Sequence, residues 1–113
     1  MNHSKQLWRK AILPTNATIG QAIRNLDKIA LKIVLVANKS GELEGTISDG
    51  DIRRGLLKGL DMNSSITSII RKNPMVVPPD LEREMVKHLM VSNKILQIPM
   101  IDEQHRIVGL HLW

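Results

Sequence analysis

Leu43-Glu44-Gly45-Thr46-Ile47-Ser48-Asp49-Gly50-Asp51-Ile52-Arg53-Arg54 is the stretch that decides how this chain folds. Leu43 to Ser48 reads as a strand. Asp49 to Leu60 reads as a helix, with Ile52, Leu56 and Leu57 at inward spacing and Gly59 near its end. Ser48 stands at the junction and Asp51 in the first helical turn. The N–H groups at a helix start favour an anion. A serine hydroxyl donates to a phosphate oxygen, and a carboxylate three residues on accepts both hydroxyls of a ribose cis-diol. Arg53 and Arg54 add charge-assisted bonds to phosphate. Ser48 and Asp49 also meet the needs of a plain helix cap. Capping accounts well for one of these residues, but not for a glycine and two acids followed by two arginines. Both readings, capping alone and capping with ligand binding, stand at this level.

Working outward, Thr18 to Ala30 has an amphipathic helical pattern, with Ile19, Ala22, Ile23, Leu26 and Ile29 on one face. Thr18 and Gln21 form a capping box at its start. Ile33 to Ala37 is a continuous apolar run of a buried strand, and Asn38-Lys39-Ser40-Gly41 supplies the turn of a hairpin with Leu43 to Ser48. The second half repeats the order. Met75 to Val77 reads as a short strand, and Pro78-Pro79-Asp80 starts a helix with Asp80 as its cap. Leu81, Met85, Val86, Leu89 and Met90 form that helix's buried side. Gln97 to Ile101 and Ile107 to Leu112 are strands around the turn Asp102 to His105. Gly45 and Gly109 fall at matching points, each two residues after Leu43 or Ile107. The chain is thus two copies of a strand-helix-strand-strand unit, each too small to bury its own sheet face. Ser65 to Lys72, apolar through Ile66, Ile69 and Ile70, reads as a linking helix. Leu7, Trp8, Ile12 and Leu13 read as a lead-in covering the first copy.

Gly45-x-x-Ser48-x-x-Asp51-Ile52 resembles the G-x-x-[ST]-x-x-D-hydrophobic signature of CBS domains, and the tandem arrangement resembles a CBS pair, or Bateman module. The resemblance implies an α+β fold of two β-α-β-β-α units about a pseudo-twofold axis, the second unit stopping at its last strand. It divides the chain into a lead-in and first repeat over 1–65, and a linker and second repeat over 66–113. It implies a regulatory module, not an enzyme, binding an adenine nucleotide such as AMP or ATP, and a homodimer. By resemblance Ser48 contacts phosphate and Asp51 the ribose hydroxyls, while the base lies near Asn73, Ile95 and Gln97 of the partner repeat. The longer string Ser48 to Arg54 is similar to CBS regions that precede sugar-phosphate nucleotidyltransferase domains, with a close variant in arabinose 5-phosphate isomerases. The chain stops inside the apolar stretch Ile107 to Trp113, where natural domains seldom end. A piece of a longer protein is therefore expected, with a catalytic domain beyond Trp113, and that order favours the nucleotidyltransferase. In the second repeat Leu112 stands where the hydroxyl should be, so one competent site per pair is expected.

The bulk properties narrow the alternatives. The chain has 113 residues, 42% hydrophobic and 24% charged, suited to one compact globular unit. It has no apolar run of the roughly 18 to 20 residues needed to span a bilayer, and no secretory signal pattern in Met1 to Lys10. Without cysteine there are no disulfides or thiolate metal sites, which fits a cytoplasmic setting. The formal charge is +5, with basic pairs Arg9-Lys10, Arg53-Arg54 and Arg71-Lys72 scattered along the chain. Two tryptophans without Phe or Tyr leave few stacking platforms for nucleic acid, so a small anionic ligand fits the charge better. His3, His88, His105 and His111 lack metal-ligand spacing. Asp49 and Asp51 could be imagined as catalytic acids or magnesium ligands, but no nucleophile with an adjacent base accompanies them. A dimerisation module without ligand is the principal rival.

Overall fold

The computed structural model describes residues 2–113, with side chains from residue 7 onward; Met1, at the head of the lead-in segment, lies outside the described residues. A 3-10 helix, Asn2–Ala11, leads into β1 (Ile12–Pro14), α1 (Ile19–Ile29), β2 (Val34–Ala37), β3 (Leu43–Ile47) and α2 (Asp49–Leu57). After a short 3-10 turn, Ile66–Ser68, come α3 (Arg83–Asn93), β4 (Gln97–Ile101) and β5 (Ile107–Leu112). No helix among the described residues is long and apolar enough to cross a membrane.

The first sheet has the order β1-β2-β3, with β1 parallel to β2 and β2 antiparallel to β3. The second pairs β4 with β5 antiparallel. Met75 to Val77, expected as a strand, contributes a single parallel bridge, Val77 to Met100, beside β4. That bridge repeats the place of β1 beside β2, so the two halves share one topology and the fold is α+β with two similar units. The pairing is confined to one residue because the next bonds along the ladder would need the N–H of Pro79 on one side and of Pro99 on the other, and proline has none.

Sequence and structure agree most closely on α1. Its cap is the expected reciprocal box: Gln21 N–H donates to the Thr18 hydroxyl at 3.2 Å and Thr18 N–H to Gln21 Oε1 at 2.8 Å. Elsewhere expectations fail. Asp80 does not cap α3, because Pro78-Pro79-Asp80-Leu81 closes as a turn with Leu81 N–H bonded to Pro78 O at 3.3 Å. Proline in the second place of a β-turn is favoured there, and α3 begins only after Glu82, which makes no side-chain cap bond. Met85 faces outward, leaving Val86 and Met90 as the fully buried members of its helix. Leu56 and Leu57 are also exposed, Leu57 at 81%, because α2 turns Ile52 and Gly55 inward instead. That helix stops at Leu57, where Gly59 takes φ +100° and Leu60 N–H returns to Gly55 O at 3.1 Å.

Two apolar clusters matter for the site. Ala17, Ile19, Ala22, Val34, Val36, Ile47, Ile52, Ile66 and Ile69 fill the space between the first sheet and its helices. Trp8, Ile33, Leu35, Ala37 and Leu43 pack with Ile107 of the second unit, so this cluster joins the two halves. The hairpin turns meet as well: Leu43 N–H bonds His105 O at 3.0 Å and Ile107 N–H bonds Gly41 O at 3.1 Å. The expected linking helix over Ser65 to Lys72 is only the turn Ile66–Ser68. Beyond it the chain runs extended along the edge of β3, bonded both ways between Arg71 and Thr46.

Candidate ligand-binding site

The junction of β3 and α2 is a closed hydrogen-bonded ring. Ser48 has extended dihedrals, φ −117° and ψ 171°, which aim its side chain at the first turn. Asp51 N–H donates to Ser48 Oγ at 3.3 Å, and Ser48 donates to Asp51 Oδ2 from its N–H at 2.9 Å and from its hydroxyl at 3.0 Å. The other oxygen, Oδ1, accepts from Arg54 at 2.8 Å and lies 3.5 Å from the Arg71 guanidinium. Asp51 is 8% exposed. Its burial pushes the carboxyl up, but the Ser48 amide and hydroxyl, the Arg54 guanidinium and the charge of Arg71 outweigh it and hold the group below its ordinary range. Asp51 is therefore held as an anion, its charge met by Ser48, Arg54 and Arg71.

Gly45 has a steric reason for its place in the motif. A Cβ there would lie 2.5 Å from Arg71 O and 2.7 Å from Ile70 Cγ1. The absence of a side chain lets the linker lie against β3, and this contact carries Arg71, Lys72 and Asn73 to the mouth of α2.

A cleft of about 770 Å3 opens there, within the roughly 300–1,000 Å3 typical of small-molecule sites. The first unit lines it with Ile33, Thr46, Ser48 and Asp51, the linker with Arg71 to Met75, and the second unit with Asn93 to Gln97 and Pro99. Five of the residues expected at the site, Ser48, Asp51, Asn73, Ile95 and Gln97, thus come together. Gln97 also ties the units, donating to Leu31 O at 3.4 Å. Arg53 and Arg54 do not line the cleft. Arg53 is exposed on α2, and Arg54 braces Asp51 from the helix side. Arg71, Lys72 and Lys94 do line it. The sequence displayed Arg71-Lys72 as one basic pair among several, and nothing in it showed that the linker would dock on β3. Lys94 carried no signal at all.

The matching place in the second unit is built differently. Arg83 donates to Leu112 O at 2.6 Å and lies 3.1 Å from His111 Nδ1, closing the backbone where a hydroxyl ligand would be expected. Burial, with the Arg83 charge adding to it, lowers the His111 pKa from 6.5. Among the described residues no three His, Asp or Glu side chains converge to hold a metal ion.

Comparison with known proteins adds to this geometry. An uncharacterized protein of Chlamydia muridarum is 32% identical over 98 residues, covering 82% of this chain and 30% of that protein. An arabinose 5-phosphate isomerase of Salmonella typhi is 24% identical over 92 residues, covering 81% of this chain and 29% of the isomerase. The chain therefore spans less than a third of the length of these relatives. Among solved structures, a CBS domain protein from Pyrobaculum aerophilum complexed with AMP superposes with a TM-score of 0.79 at 19% identity, over 89% of this chain and 78% of that one. The CBS domain pattern matches twice, over residues 8–58 and 66–110, and the chain belongs to the CBS domain family as a tandem pair.

Proposed function

We propose that this chain is a regulatory, ligand-sensing pair whose cleft binds an adenine nucleotide, AMP or ATP, or a related phosphorylated ligand. The repeats divide at 65/66 on this reading. The observation that carries it is the meeting, in one cleft between two units, of a buried anionic Asp51, the Ser48 hydroxyl and cations from both the linker and the second unit. Asp51 receives the ribose hydroxyls, Ser48 and the basic side chains the phosphate, and Asn73, Ile95 and Gln97 the base. The AMP carried by the similar Pyrobaculum protein supports the ligand class. Because both units line the cleft, a ligand favours the arrangement that lets both touch it. It shifts that equilibrium only by its difference in affinity for the two arrangements.

In the parent protein this pair acts as a homodimer on an attached catalytic domain. The string Ser48 to Arg54 supports a sugar-phosphate nucleotidyltransferase there, while the isomerase relative supports an isomerase as the competing parent. A dimerisation module without ligand is the alternative function. It draws on the fact that Ser48 and Asp51 already satisfy each other as a cap. Calorimetric titration of AMP, ATP and sugar nucleotides into the wild type and Asp51→Asn decides between them. Micromolar binding that weakens at least about tenfold in the variant is expected, the loss of a charge-assisted bond. Silence from every ligand favours the dimerisation module.

A further inference from the structure

The two arginines beside Asp51 are not equivalent. Arg54 makes a direct bond at 2.8 Å from a residue outside the cleft lining, so the carboxylate charge is balanced from the helix side. Arg71 stands at 3.5 Å, beyond hydrogen-bond length, and its side chain is 62% exposed. Its backbone is fixed to Thr46 by bonds of 2.9 and 3.1 Å, so its base stays at the cleft edge while the guanidinium is held only by the long contact with Asp51. Lys72 follows on the linker, and Lys94 of the second unit lines the same cleft. Among the described residues neither lysine has a carboxylate within ion-pair distance. Lys94 also holds φ +55°, a left-handed position at the end of α3 that glycine takes without strain, so a lysine is carried there at a conformational cost.

We propose that the cleft prefers a nucleoside polyphosphate, a di- or triphosphate, over the monophosphate, with Arg71, Lys72 and Lys94 as the set that grips the phosphate chain. This rests on the nucleotide reading given above. Three cationic residues line a cleft with one carboxylate, which Arg54 already balances, leaving an excess of positive charge. A monophosphate brings a charge of about −2 at most near neutral pH, and each further phosphate brings more negative charge for the remaining cation to meet. Arg71 exchanges its long contact with Asp51 for phosphate oxygens, while Arg54 keeps its bond to Oδ1 and goes on balancing the carboxylate.

The test is calorimetric titration of AMP, ADP and ATP at one ionic strength into the wild type, Arg71→Ala and Lys94→Gly. The wild type should bind ATP or ADP at least about tenfold more tightly than AMP, and each variant should lose most of that ratio while changing AMP affinity less. Lys94→Gly removes the charge and the backbone strain together, so its melting temperature should not fall, and a lost preference is then not a folding defect. Equal affinity for AMP and ATP in the wild type, or a ratio unmoved in both variants, overturns polyphosphate selection and leaves the nucleotide site standing. If no nucleotide binds the wild type, the nucleotide reading falls, and this proposal with it.

Discussion

Asp51 and Gly45 show how closely single residues determine this site. Asp51 is charged in the fold, and its carboxyl is held below its ordinary value of 3.8. The fold therefore binds fewer protons than the unfolded chain as pH falls through this region. The stabilisation is fully present above 3.8 and is lost as pH drops through the lower folded value. Asp51→Asn should cost about 1–2 kcal/mol at pH 7, toward the low end for a broken buried pair because Arg54 and Arg71 remain hydrated. Urea unfolding should show a gap between wild type and variant that is constant near neutrality and narrows in acid. A gap that widens in acid would contradict the assignment. The two motif glycines differ in the same measurable way. A Cβ on Gly45 meets the Arg71 carbonyl at 2.5 Å, which is backbone and cannot give way. A Cβ on Gly109 meets Met100 Sδ at 3.1 Å, the flexible part of a side chain. Gly45→Ala should lose about 1–3 kcal/mol by overpacking, and Gly109→Ala much less, by the same unfolding assay. Similar costs for both would mean that the linker does not rest on β3 as described.

At the scale of elements, the sequence was most legible where local chemistry acts alone. The Thr18-Gln21 box starts α1 because both partners lie within one turn. The β2-β3 and β4-β5 hairpins follow from apolar runs around polar turns. The candidate junction was legible for the same reason, since Ser48 and Asp51 are three residues apart. Legibility failed where a local signal had two outcomes. Pro78-Pro79-Asp80 fits a helix start and a β-turn equally, and the turn prevails as Leu81 packs against the cluster of Val77, Val86, Met90 and Ile98. The consequence is a helix without a side-chain cap at Glu82, whose dihedrals, φ −63° and ψ 143°, are those a capping residue adopts. Glu82→Ser should therefore stabilise the protein by about 0.5–1 kcal/mol, less than a full cap because a favourable acid is removed from the helix start. A rise in melting temperature checks it. No rise would mean that a cap bond cannot form where α3 begins.

The whole molecule depends on contacts that cross from one unit to the other, and these were the least legible. The sequence marks Trp8 as a residue covering the first unit, but its burial against Ile107 of the second follows only once the hairpin turns have met. The same is true of Arg71 and Lys94, which reach one cleft from segments with no shared local pattern. This sharing has a consequence for unfolding. Leu35, Ala37 and Leu43 of the first sheet lose apolar neighbours if the second unit separates, and Ile107 loses Trp8. Neither unit keeps a complete core alone, so the pair should unfold in one step although it is built of two repeats. Trp8→Ala, which removes a ring 6% exposed, should cost about 3–5 kcal/mol. Against a total of about 5–15 kcal/mol for a domain, that loss is severe. Tryptophan fluorescence, from Trp8 and Trp113 in the wild type and from Trp113 alone in the variant, and far-ultraviolet circular dichroism, followed together through urea, should give coincident single transitions in the wild type and a coincident, earlier one in the variant. Separated transitions in the wild type would show that each unit is stable by itself, and that the shared cluster binds the two together without being needed to fold either.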